Sequence, residues 1–191
     1  MNLSRRALMA GLAAMAAPGA AMATPQTHAF LNAADPTHRD RLRAVTDRVM
    51  GGVSEAQLSM AEVDGAMAWH LRGAVSLENN GGFIQLAADA PGAPADWSAY
   101  RGLRLELRGD GGAWFVSVRT TQVRAPWQSF RAPLPAARAW RTVDLPWQAF
   151  APHRIRVAPD WRSILRLGIL AVGEARPVDM AVRRVDWLVN G

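Results

Sequence analysis

The stretch Leu103-Arg104-Leu105-Glu106-Leu107-Arg108-Gly109-Asp110-Gly111-Gly112-Ala113-Trp114-Phe115-Val116-Ser117-Val118-Arg119 decides the fold class. Leu103, Leu105 and Leu107 alternate with Arg104, Glu106 and Arg108; Trp114, Val116 and Val118 alternate with Phe115, Ser117 and Arg119. Successive strand side chains point to opposite faces, so a period of two predicts two strands, each with one buried face. Asp110-Gly111 between them is turn chemistry. The alternation returns at Val178, Met180 and Val182 against Asp179, Ala181 and Arg183. Further strands are predicted near 53–60, 66–75, 83–87, 127–132, 141–145 and 165–171, punctuated by Asp64-Gly65, Asn80-Gly81, Pro91-Gly92 and Pro159-Asp160. Eight or nine short strands with no long amphipathic helix predict an all-β chain folded as a β-sandwich.

Two segments upstream spend paired glycines inside apolar, strand-like sequence: Asp47-Arg48-Val49-Met50-Gly51-Gly52-Val53-Ser54 and Glu78-Asn79-Asn80-Gly81-Gly82-Phe83. Glycine pairs there mean tight turns, positive φ or close backbone approach. The side chains around them bind rather than pack. Two β-turns explain the glycines alone, since Asn-Gly is a hairpin signal. The combination resembles the signature of the CIA30 family, the domain of the mitochondrial complex I intermediate-associated protein and its bacterial relatives.

The resemblance continues in family order from about Leu42 to the C-terminus. It runs through Arg108-Gly109-Asp110-Gly111, the aromatic strand from Trp114 to Arg119 and the step Trp127-Gln128-Ser129-Phe130. It ends with Trp140, Leu145-Pro146-Trp147, Phe150 and Gly168-Ile169. Two departures stand out: Leu42 or Arg43 replaces a usual aromatic, and Thr46-Asp47 a usual Asn-Asp. The resemblance implies a jelly-roll of the galactose-binding-like type over residues 42–191, with 24–41 as an N-terminal lead-in. Between Thr24 and Val45 little order is expected except a short helix after Pro36, with Asp35 positioned to cap it.

The chain has 191 residues, half of them apolar, with 8 Trp and 5 Phe, enough for one good core. The net charge of +6 comes from arginine alone, since there is no lysine. The arginines are scattered among carboxylates rather than striped along one element, which argues against nucleic acid. Zero cysteine excludes disulfides, thiolate metal sites and a cysteine nucleophile.

Residues 1–23 read as an export signal. Ser4-Arg5-Arg6-Ala7-Leu8-Met9 resembles a twin-arginine motif, a mild Ala/Gly/Met stretch follows, and Ala21-Met22-Ala23 is a small-residue cleavage site. The general secretory route fits the same features, because Ala10 stands where a lysine is common. Cleavage would remove Arg5 and Arg6 and leave a periplasmic or secreted chain from Thr24 with no membrane span.

No catalytic constellation is found. His28, His38, His70 and His153 lack metal-ligand spacing, so no metal site is expected. No serine sits in a Gly-x-Ser-x-Gly elbow and no Gly-rich loop opens a helix, so no cofactor is implied. Asp47 and Glu78 could be nominated as a hydrolase pair, but nothing in the sequence places them together. The binding residues singled out are Asp47, Arg48, Ser54, Glu78, Asn79, Asn80, Arg119, Trp127 and Gln128, with Gly51, Gly52, Gly81 and Gly82 as structural glycines; Asp47, Asn79, Asn80, Arg119 and Gln128 read equally as a structural network that satisfies buried turn backbone. Arg119, pointing away from the core, is expected to find Asp47 or Glu78. Trp114, Trp140 and Trp187 fall at core positions; Trp97, Trp127 and Trp147 adjoin turns or prolines and are expected to be exposed.

The expected protein is therefore non-catalytic and binds partners. The resemblance implies help in assembling respiratory complex I or another membrane or periplasmic complex. A carbohydrate-binding module holding a glycan is the alternative.

Overall fold

A computed structural model describes residues 26–93 and 95–189. The export signal expected over residues 1–23 lies outside the described residues. Twelve strands are present among them: β1 (Thr27–Asn32), β2 (Arg43–Thr46), β3 (Glu55–Val63), β4 (Ala66–Val75), β5 (Phe83–Asp89), β6 (Tyr100–Gly109), β7 (Trp114–Thr120), β8 (Ser129–Leu134), β9 (Arg141–Pro146), β10 (Ala151–His153), β11 (Ile164–Val172) and β12 (Arg176–Val189). Their pairing is antiparallel throughout. The fold is a β-sandwich jelly-roll of the galactose-binding-like type.

One sheet has the order β3-β4-β12-β6-β9, the other β10-β8-β7-β11-β5-β2. The long β12 runs beside β6 for most of its length, and β4 and then β1 pair with successive halves of it. The core is the meeting of two alternations. Leu103, Leu105 and Leu107 of β6 face inward from the first sheet, and Val116 and Val118 of β7 from the second, all fully buried. Their partners Arg104, Glu106 and Arg108 stay outside, where Arg104 holds Asp144 of β9 at 2.7 Å across the strands.

Three strands were not visible in the sequence: β1, β2 and the three-residue β10. β1 is the consequential one. The lead-in is part of the sandwich, because Phe30 and Leu31 are buried in its core and residues 27–32 pair with β12. The short helix is present as a 3-10 turn at Pro36–Arg41, with Asp35 accepting from the Thr37 amide at 2.9 Å.

The tryptophans divide differently from expectation. Trp114 is buried and Trp127 exposed, as expected, while Trp140 and Trp187 are only half-buried. Trp97 and Trp147 are buried rather than exposed. Trp147 donates from Nε1 to the Tyr100 carbonyl at 2.7 Å and stacks on Trp161 at 4.5 Å. Trp97 meets Phe30 edge-on at 5.3 Å. A neighbouring turn or proline fixes where the backbone bends, not the side to which the ring swings, and a ring this large gains most inside.

Candidate functional site

The structure brings the two Gly-Gly segments together, and Asp47 is what joins them. Its side chain is wholly enclosed. The carboxylate accepts from Ser54 N at 2.9 Å, Ser54 Oγ at 2.5 Å, Gly82 N at 2.5 Å and Phe83 N at 3.2 Å. Burial alone would raise the Asp47 pKa, but the hydrogen bonds from Gly82, Ser54 and Phe83 outweigh it and hold the carboxyl below the usual range. The glycines follow from this geometry. A Cβ at Gly52 or Gly81 would stand against the Asp47 carboxyl, while Gly51 and Gly82 hold φ of +90° and +127°.

The remaining residues of these segments do other work. Ser54 is buried and also receives the Ser76 amide at 2.9 Å. Arg48 lies outside and donates to Glu55 at 2.8 Å and the Ser54 carbonyl at 3.3 Å. Glu78, Asn79 and Asn80 are exposed in a short 3-10 turn. The two asparagines hold φ of 54° and 58°, which asparagine tolerates better than most residues. Asp47 and Glu78 make no acid–base pair: one is saturated by donors, the other faces solvent.

Arg119 does not join this cluster. Its guanidinium donates to the Pro126 carbonyl at 2.7 Å and to those of Ala125 and Gln128 at 3.4 Å. Register gives the reason. Arg119 stands beside Arg166, which stands beside Asp89, whereas Thr46, next to Asp47, stands beside Ile84. Five residues along a strand is about 16 Å, with three strand spacings to cross as well. Burial and the Arg166 guanidinium lower the Arg119 pKa.

What Arg119 braces is the 121–128 loop. Gln128 completes the brace: its Oε1 accepts from the amides of Arg124 and Ala125 at 3.0 and 3.1 Å. Trp127 rides on this loop, 54% exposed, at the rim of an open groove of about 1060 Å³ over the outer face of the second sheet.

Register divides the groove into two halves. Along one side the outward residues are His153, Ser129, Arg119, Arg166 and Asp89, with Arg131 and Ser117 in the next row. Along the other they are Pro133, Phe115, Leu170, Gln85 and Val45, then Val172 and Phe83. The first half is cationic and the second mostly apolar. Bare Gly168 in the floor makes the crossing, since a Cβ there would collide with the Gln85 amide and Ser117 Oγ. Burial and Arg154 lower the Arg131 pKa; burial, Arg131 and Arg154 lower that of His153.

Sequence reasoning missed Arg124, Arg131, Arg154 and Phe115. The alternation Ser129, Arg131, Pro133 marks outward positions, but nothing local says that loops wall this face into a groove. Among the described residues no group of three or more His, Cys, Asp or Glu could hold a metal. His70 is satisfied by Asp179 at 3.0 Å.

Residues 31–176 match the family model described as Complex I intermediate-associated protein 30. The chain belongs to the CIA30 family. No curated protein matches this CIA30 chain. Its fold is similar to the family 11 carbohydrate-binding module of cellulosomal cellulase Lic26A-Cel5E of Clostridium thermocellum, at TM-score 0.67 and 9% identity over 88% of this chain and 97% of that one. Another structure of a family 11 module from that organism, in complex with a beta-1,3-1,4-mixed-linked tetrasaccharide, matches at 0.60 and 10% identity, over 78% and 89%. A family 30 carbohydrate-binding module matches at 0.54 and 12%, over 87% and 85%. At such identities the likeness is one of fold alone.

Proposed function

We propose that this CIA30 protein is a non-catalytic binding protein that assists assembly of a membrane or periplasmic complex, of the respiratory complex I kind its family name carries, and holds its client in the groove of the second sheet. The observation behind this is the groove itself. An aromatic on a doubly braced loop, arginines and an apolar strip share one open face, the composition of a protein-binding hot spot. Membership of the CIA30 family supports the assembly role. If the chain is exported, it reaches only the outer face of such a complex, never an arm on the other side.

A second reading has its own observation. Trp127 stands exposed at the rim of a sheet-face groove whose floor also carries the amide of Gln85 and the hydroxyl of Ser117, a setting fit for a glycan, and similar folds belong to carbohydrate-binding modules. One experiment separates the two. A deletion strain is complemented with wild type or Trp127→Ala and assembled complex I is measured on native gels; the purified proteins are applied to a glycan array. Loss of complex I that Trp127→Ala cannot restore, with a silent array, supports assembly. Normal complex I with Trp127-dependent glycan binding overturns it.

A further inference from the structure

We infer that the groove takes an extended segment of a protein partner in which acidic and apolar side chains alternate. This rests on the assembly reading above and names the chemistry of the client. Five arginines line the groove, Arg119, Arg124, Arg131, Arg154 and Arg166, against one carboxylate, Asp89. Asp89 is already held by Arg43 at 3.0 Å and Arg166 at 2.7 Å. Arg119 is committed to carbonyls and Arg131 to Ser129 Oγ at 3.0 Å. The side chains of Arg124 and Arg154 have no hydrogen bond or ion pair among the described residues, and both are exposed. Positive charge is thus gathered over one half of the groove with Asp89 as its one carboxylate, already shared by Arg43 and Arg166, and Arg124 and Arg154 would find a counter-charge in a carboxylate-bearing ligand, in bidentate geometry.

The other half selects among anionic ligands. Phe115, Leu170, Val172 and Phe83 offer no hydrogen bonds, and Val49 and Met50 extend the strip at 72% and 51% exposure. The edge hydroxyls of a glycan would find few partners along this strip, where Gln85 alone offers an amide. An extended peptide avoids this, because its side chains leave the backbone alternately on opposite sides. Lying along the boundary between the rows, it sends acidic side chains to the arginines and apolar ones to the strip. Met50 adds a surface that adapts to varied apolar side chains. Arg154, at the cationic rim, holds φ of +55°, a conformation that a non-glycine residue enters at a cost and that recurs at binding positions.

The test uses labelled short peptides and fluorescence anisotropy on the full mature chain. The probes are an alternating Asp-Leu peptide, its Lys-Leu and Asp-Ser counterparts, and an oligogalacturonate. The expected result is binding of Asp-Leu at least tenfold tighter than any other probe. It should weaken at least tenfold as salt rises from about 50 to 500 mM, within the range where exposed charges become screened. Arg124→Ser/Arg154→Ser, both exposed and unpaired, should weaken it at least tenfold with an unchanged melting temperature. Equal binding of Asp-Leu and Lys-Leu, or of Asp-Leu and Asp-Ser, overturns the inference, as does preference for oligogalacturonate. If no peptide binds while Trp127→Ala still fails to restore complex I, this inference falls and the assembly reading stands.

Discussion

Four donors converge on the Asp47 carboxylate, and three of them are backbone amides, those of buried Ser54 and Gly82 and of half-buried Phe83. Asp47→Ala is therefore expected to cost about 1–3 kcal/mol or more, the cost of stranding buried donors, read as a lower urea midpoint. The sign with pH follows from the depressed carboxyl. A group whose folded pKa lies below its unfolded value of about 3.9 stabilises fully above that value and loses its contribution as pH falls from there through the lower folded value. Asp47→Asn should then be less stable than wild type at pH 7, and the gap should close toward pH 3 in melts across that range. A gap independent of pH would show that the charge plays no part. Asp110, held by Trp114 Nε1 at 2.9 Å and Gly112 N at 2.8 Å against its burial, leaves the variant some acid sensitivity. The sequence showed that polar side chains and glycines share these segments. It did not show that backbone amides, rather than Arg119, would claim the carboxylate, because that depends on which turns the pairing of β2 with β5 brings face to face.

At the scale of elements, the alternating strands were readable because each has one apolar face, and β4 was placed at its observed bounds. β1 was not, since Thr27–Asn32 has two buried positions side by side, Phe30 and Leu31, in place of a period of two. Its strandedness is imposed by β12. A chain beginning at Leu42 should therefore lose cooperative melting or aggregate, as the β12 edge and the seats of Phe30 and Leu31 are laid open; a sharp melt near wild type would show β1 to be dispensable. The 121–128 loop raises a different question, since its braces were expected to bind ligand. Gln128→Ala should speed hydrogen exchange at the Arg124 and Ala125 amides, which it leaves without their acceptor, while strand amides of β7 and β11 stay protected. Unchanged exchange there would mean that the loop is held by Arg119 alone.

For the whole molecule, the groove joins residues from seven segments, and no window of sequence contains it. Its polarity comes from register, so only the paired sheet reveals that arginines fall in one row and apolar side chains in the next. Under the assembly proposal, the side of a membrane on which this face works depends on the first 23 residues. Paired Arg5-Arg6, a short and weakly apolar stretch and Ala21-Met22-Ala23 together fit a cleaved address better than a span. The sequence has no cysteine, and among the described residues no helix is long and apolar enough to cross a membrane. Cleavage after Ala23 would leave Thr24 three residues ahead of β1 in the sequence. N-terminal sequencing of the protein from the periplasmic fraction should therefore read from Thr24, and Arg5→Lys/Arg6→Lys should hold the chain inside the cell if the twin-arginine route carries it. A mature chain that keeps Met1 would end the proposal of export, and with it the restriction of the groove to the outer face of its partner complex.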